Sequence, residues 1–252
     1  ATKVRRISQL YKIKVDNSVN FSLYFMCLKG KFLHLFKDDE SRWFLISVGV
    51  VTLFITVPLV TQNHYGWEEA FRKAFFQVAS IHTSCGFATD DYNGWPPFTW
   101  RLLIYTMMAG GCTGSTGGGI KNMRLVILFR NMKNEFSRLI HPRAVLPVKV
   151  NQQTISLSTI STVNTFILLY MICIFISWVV LMFLGLGLTE SFGLVVSSLG
   201  NVGPGLGAYG PAFSWSTLPD IVKWILSFLM LIGRLELFGI LLMFSPGFWH
   251  KR

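Results

Sequence analysis

Two short stretches of this chain carry the groups needed to hold a desolvated cation. They are TSCGFATDD at 83–91 and GNVGPGLGA at 200–208, and each comes after a short apolar segment opened by acidic or capping residues. If those segments are helices, their carbonyl ends, which carry partial negative charge, point at these two stretches. Extended carbonyls there can replace a cation's hydration shell, as in a potassium selectivity filter. Glycine supplies the backbone angles that turn such carbonyls towards one axis. The candidate filter strands are Ser84, Cys85, Gly86 and Phe87 in one copy and Asn201, Val202, Gly203 and Pro204 in the other, with a cation expected at Ser84, Cys85, Asn201 and Val202. The plainer alternative is two structural loops between helices. Two such stretches at equivalent places favour a filter.

The equivalence comes from sliding the chain on itself by 117 residues. Phe75 then falls on Phe192, Val78 on Val195, Ser80 on Ser197, Gly86 on Gly203 and Tyr92 on Tyr209. A second feature is AGGCTGSTGGGIK at 109–121, where Gly110, Gly111, Gly114, Gly117, Gly118 and Gly119 fall within ten residues of an apolar stretch. That density breaks a helix, at about 1 kcal/mol per glycine relative to alanine, and would place a flexible polar strand beneath the filters as a gate. The pattern is not a phosphate loop, because Lys121 follows Ile120 and Asn122 comes next. Arg234, in LMLIGRLELFG, aligns with Gly117 and sits inside another apolar stretch. An intramembrane arginine either lines a path, where it repels cations, or pairs across helices. Glu236, about 200° around the helix from it, is a poor direct partner.

The remaining polar residues say less. His82 suits packing at a helix end. Asp90 and Asp91 would either concentrate cations at an outer mouth or be solvated. No Ser/His/Asp order, paired carboxylates or clustered metal ligands point to catalysis, so neither enzyme activity nor a cofactor is expected. Cysteines 27, 85, 112 and 173 form no CxxC pair.

The elements that must position these residues are legible in composition. The chain has 252 residues, 52% hydrophobic and 14% charged, with net charge +11. That mix excludes disorder and points to a multi-span membrane protein. Apolar stretches at 43–60, 98–129, 160–188 and 221–248 are each long enough to cross a bilayer, which takes about 20 helical residues. Those at 68–83 and 189–200 are too short and read as re-entrant half-helices. Nine Lys or Arg lie in 1–42 and seven in 121–149, against two in 61–100 and none in 185–220. The positive-inside rule therefore puts the N-terminus, the 130–158 loop and the C-terminus in the cytoplasm. Since the charge brackets apolar spans, a nucleic-acid partner is not expected. The basic amphipathic stretch 133–149 suits anionic membrane lipid or a cytosolic partner.

The expected fold is an all-α membrane protein of two span–re-entrant pore helix–span repeats, with four transmembrane helices and two half-helices. It comprises a basic cytoplasmic lead-in at 1–42, a first repeat at 43–135, a basic loop at 136–158 and a second repeat at 159–252. Parallel repeats of this kind share an axis along the membrane normal. The opening ATKVRRISQLYKIKV has neither an apolar signal core nor an initiator methionine, so a processed or truncated chain is expected.

The stretches SIHTSCGFATDDYNGWP, GGCTGSTGGGIKNMR, RLIHPRAV, NVGPGLG and GRLELFGILLMFSPGFW resemble the TrkH-type subunits of the Trk/Ktr/HKT superfamily of potassium transporters, and NFSLYF at 20–25 resembles the lead-in to their third repeat. Members carry four span–pore-helix–span units around a pseudo-fourfold axis; this chain matches the third and fourth. The resemblance implies K⁺ uptake across a bacterial inner membrane through a backbone-carbonyl filter. It also implies an intramembrane gating loop at 110–119, a constriction at Arg234, homodimers, and a cytosolic nucleotide-binding partner of the TrkA type. Cys85 stands where a threonine is usual, and the repeat whose glycine sets K⁺ over Na⁺ preference has no counterpart here. One copy cannot enclose a pore, so a complementary half, or a second copy of the chain, is expected. A non-conducting membrane scaffold is the alternative.

Overall fold

The computed structural model describes residues 38–113, 117–144 and 146–239. Gly114, most of the lead-in with NFSLYF, and the final ILLMFSPGFW lie outside the described residues.

Seven helices occur among the described residues. Helix α1 spans Asp39–Thr61 and is capped by Asp38, whose side chain accepts from the Ser41 N–H. Helix α2 (Trp67–His82) is followed by a short 3₁₀ turn, Tyr92–Gly94, and by α3 (Pro97–Met108). A non-helical stretch at 109–121 then leads to α4 (Asn122–Ile140). A two-residue hairpin, β1 (Lys149–Val150) against β2 (Gln153–Thr154), joins the halves. It turns through Asn151 and Gln152 at φ +48° and +66°. The second half holds α5 (Leu157–Phe183, capped by Ser156), α6 (Leu188–Gly200) and α7 (Asp220–Arg234).

The chain is all-α apart from the hairpin, as expected, and both short helices form within a residue of their expected bounds. Two helices, α1 and α5, are long and apolar enough to cross a membrane. The other two expected spans are interrupted. The glycine-rich stretch divides one into α3, of 12 residues, and α4. The second break, at Leu235–Glu236 after α7, was not expected. Helix α4 continues to Ile140, so the basic loop expected from 136 begins inside a helix.

The short helices sit at the centre. From Gly193 to Gly200 every residue of α6 is buried. Val78 and Ile81 of α2 join Leu194, Val195, Val196 and Leu199 of α6 in one core with Ile55, Leu103, Tyr170 and Leu226. Small and polar side chains are buried there too, among them Gln77, Ser80, Thr52, Ser197 and Ser198. The outward faces are apolar: Leu53, Phe54, Leu168, Phe175, Ile176 and Phe183 are exposed. A contiguous apolar exterior around a partly polar interior is the arrangement a hydrocarbon solvent favours.

Candidate functional site: paired filter strands

The backbone after α2 and the backbone after α6 have the same shape. Ser84 and Gly86 lie at φ +58° and +74°; Asn201 and Gly203, 117 residues on, lie at +52° and +113°. In an ordinary strand successive carbonyls face opposite ways. Reversing φ at every second residue swings them towards one side. The N–H groups fold back onto the short helices in matched pairs. Cys85 donates to the Ser80 carbonyl at 2.9 Å and Val202 to that of Ser197 at 3.0 Å. Likewise Ser84 donates to Ile81 at 3.0 Å and Asn201 to Ser198 at 3.1 Å. Among the described residues, nothing donates to the carbonyls of 84–87 or 201–204. Donors are thus consumed inward and acceptors are left over, the inventory a cation site needs. The strands also touch: a Cβ on Gly86 would lie 2.1 Å from the Val202 carbonyl oxygen.

Three residues that sequence reasoning passed over as positioning groups hold the loops beyond the two strands. Buried Tyr92 donates its hydroxyl to the Gly205 carbonyl. Asn93 clasps Gly207 at both ends, Nδ2 donating to its carbonyl at 3.0 Å and Oδ1 accepting its N–H at 3.1 Å. Asp91 fixes the 3₁₀ turn by accepting from the Asn93 N–H at 3.0 Å. The alignment of Tyr92 with Tyr209 was the one available signal for this clasp. Asp90 is not a bare mouth charge: Lys73 bridges it and Glu69, both at 3.0 Å, from above the Tyr65 ring. Hydrogen bonds to Glu69 and then Asp90 hold the Lys73 ammonium above its usual range. His82 is a packing residue, stacked on Phe44 and 3.2 Å from the Ser47 hydroxyl.

The glycine-rich stretch closes at its neck. Gly110 N–H donates to Ile120 at 2.9 Å, and Ile120 N–H returns to Met108 at 3.0 Å. Asn122 donates its N–H to Gly111 and its Nδ2 to Gly110. A Cβ on Gly110 would sit 2.3 Å from the Gly118 carbonyl oxygen, and Gly119 lies at φ +79°. Beyond the neck, Gly118 abuts the base of the candidate strand after α6, where a Cβ would meet Asn201 Nδ2 at 2.6 Å and the Leu199 carbonyl at 2.8 Å. Gly233 of α7 presses on the same carbonyl. Gly117 and Gly119 line a small space with Lys121, Tyr170 and Glu236.

Arg234 ends α7, exposed, with no ion pair among the described residues. The interhelical pairing weighed for it falls instead to Glu236, which meets Lys121 at 2.8 Å and Arg124 at 3.1 Å. Arg124 also lies 3.8 Å over the Phe166 ring. Glu236 is left-handed at φ +59°, the counterpart of Gly119 in the 117-residue register. The repeat therefore extends to the break in its second helix.

Comparison with known proteins matches residues 18–251 to the family described as "TrkH: Cation transport protein". The chain is 37% identical over 237 residues to the Trk system potassium uptake protein TrkH of Escherichia coli K12, covering 92% of this chain and 48% of that protein. It is 34% identical to the TrkH of Halomonas elongata over 93% of this chain and 48% of that one. The crystal structure of the potassium transporter TrkH from Vibrio parahaemolyticus superposes with a TM-score of 0.84 at 34% identity, covering 94% of this chain and 51% of that one. The chain thus spans about half the length of the curated relatives it matches.

Proposed function

Because the chain belongs to the TrkH family of cation transport proteins, we propose that it supplies two of the four units of a K⁺-conducting pore. The observation that carries this reading is the pair of strands with reversed φ at matching positions and carbonyls that no donor among the described residues claims. K⁺ is held by the carbonyls of Ser84, Cys85, Asn201 and Val202, with Gly86, Phe87, Gly203 and Pro204 completing the strands. Helices α2 and α6 are re-entrant pore helices. Helices α1 and α5 cross the membrane unbroken. Helix α3 with α4 crosses as an interrupted span, and α7 opens another. The basic segments face the cytoplasm of a bacterial inner membrane. The glycine-rich stretch and Arg234 control passage beneath the filter. Regulation falls to a cytosolic nucleotide-binding partner of the TrkA type. The relatives, named potassium uptake proteins at twice this length, support the choice of ion and the need for a complementary half or a second copy.

The test is ⁸⁶Rb⁺ uptake in cells lacking their own K⁺ uptake. The chain is expressed alone and together with the N-terminal half of the E. coli relative, with membrane insertion checked. Uptake in either arm, abolished by Gly86→Asp or Gly203→Asp at unchanged expression, is the expected result. No uptake from well-inserted protein in both arms, or uptake indifferent to both substitutions, would overturn the assignment.

A further inference from the structure

Glu40 is a fully buried carboxylate in the first turn of α1, a helix whose other buried side chains are uncharged. Burying a carboxylate costs several kcal/mol unless its oxygens are used. Here Oε1 takes three donors from far along the chain: the Thr113 N–H, the Thr113 hydroxyl at 2.9 Å, and the Met123 N–H at 3.2 Å. Thr113 is on the entry leg of the glycine-rich stretch. Met123 is in the first turn of α4, just past the exit leg. Helix α4 has no side-chain cap of its own, because Lys121 occupies its N-cap position. An anion beside its first N–H groups is therefore favourable both as an acceptor and against the helix dipole.

We infer that Glu40 is the positioning residue that pins both legs of the glycine-rich stretch, and through Gly118 the base of the second filter strand. The neck at 110 and 120 holds the legs to each other. Glu40 holds them to the body of the protein. Its neighbours strengthen the anchor. Asp39 meets Arg130 of α4 at 2.7 Å and takes the Asn151 N–H at 2.8 Å, while Asp38 accepts from Asn151 Nδ2 at 2.7 Å. The start of α1 is thereby tied to α4 and to the hairpin between the repeats.

Cys112, partly exposed and adjacent to Thr113, is a built-in reporter of the entry leg, and Cys173 on α5 is an internal control. Membranes carrying the whole chain are treated with a small maleimide, and labelling is followed peptide by peptide by mass spectrometry. Glu40→Ala should raise the Cys112 rate about tenfold relative to Cys173, since three hydrogen bonds to a charged group are lost. Glu40→Gln, which keeps an acceptor oxygen, should raise it about threefold. A general loosening would raise both thiols together and would overturn the inference, as would a Cys112 rate within twofold of wild type. If Glu40→Ala fails to insert, Glu40→Gln decides by the same criteria. The labelling arm needs no transport, so it stands apart from the functional reading on which the filter consequence rests. Where the wild type supports ⁸⁶Rb⁺ uptake with its complementary half, Glu40→Gln should also change that rate.

Discussion

Replacing Gly86 by alanine tests the proposed filter geometry most directly. The added Cβ would stand 2.1 Å from the Val202 carbonyl oxygen, against the 3.4–4 Å of ordinary contact, and 3.2 Å from the Pro204 ring. Because the offending atom is backbone, no rotamer relieves the overlap. The strands must part by about 1.3 Å, from 2.1 to 3.4 Å, to accommodate it. An L-residue held at φ +74° costs about a further 1–2 kcal/mol. A carbonyl displaced by that distance no longer ligates an ion its partner holds. A loss of about 1.4 kcal/mol in ion stabilisation is already tenfold in rate. Gly86→Ala should therefore lower ⁸⁶Rb⁺ uptake at least about tenfold in cells that carry the complementary half, with insertion preserved. The matched control is Gly49→Ala in α1, where a Cβ meets nothing within 4 Å. That change removes a helix-interior glycine, stabilises by up to about 1 kcal/mol, and should leave uptake unaltered. Uptake by Gly86→Ala within twofold of wild type would refute the reasoning, because the strands would then not touch as described.

The groups around the proposed filter give two more tests. Asn93→Ala removes both hydrogen bonds to Gly207, a loss of about 1–3 kcal/mol; thermal unfolding in detergent should fall by roughly 2–4 °C per kcal/mol, and an unchanged midpoint would dismiss the clasp. Lys73→Met releases Glu69 and Asp90 from their shared ammonium, taking that cluster from one net negative charge to two; apparent K⁺ affinity should improve at low ionic strength and return to the wild-type value as salt screens the mouth. A gain that persists in high salt would argue against a surface field.

Much of the candidate site was legible because its signals are local. A glycine that must reverse φ, a short apolar segment and an acidic opening turn are properties of neighbouring residues, and recurrence at 117 residues doubled each of them. Gly86 with Gly203 and Ser84 with Asn201 needed no third dimension to be paired. The placement of α2 and α6 likewise came from length, since neither segment has enough residues to cross a bilayer. The break after α7 was hidden, because LELFG reads as continuing helix. At that break Glu236, at φ +59°, meets Lys121 and Arg124, 115 and 112 residues away.

Sequence alone determined the all-α membrane class, the twofold repeat and the two strands whose backbone bears the proposed chemistry, since hydropathy and backbone freedom are written residue by residue. Tertiary structure decided which side chains hold that backbone in place. Glu40, Tyr92, Asn93 and Glu236 act on partners 73 to 115 residues distant. Hydrogen bonds and ion pairs act over a few ångströms of space, so a single sequence carries no trace of which distant residues the fold will bring within reach.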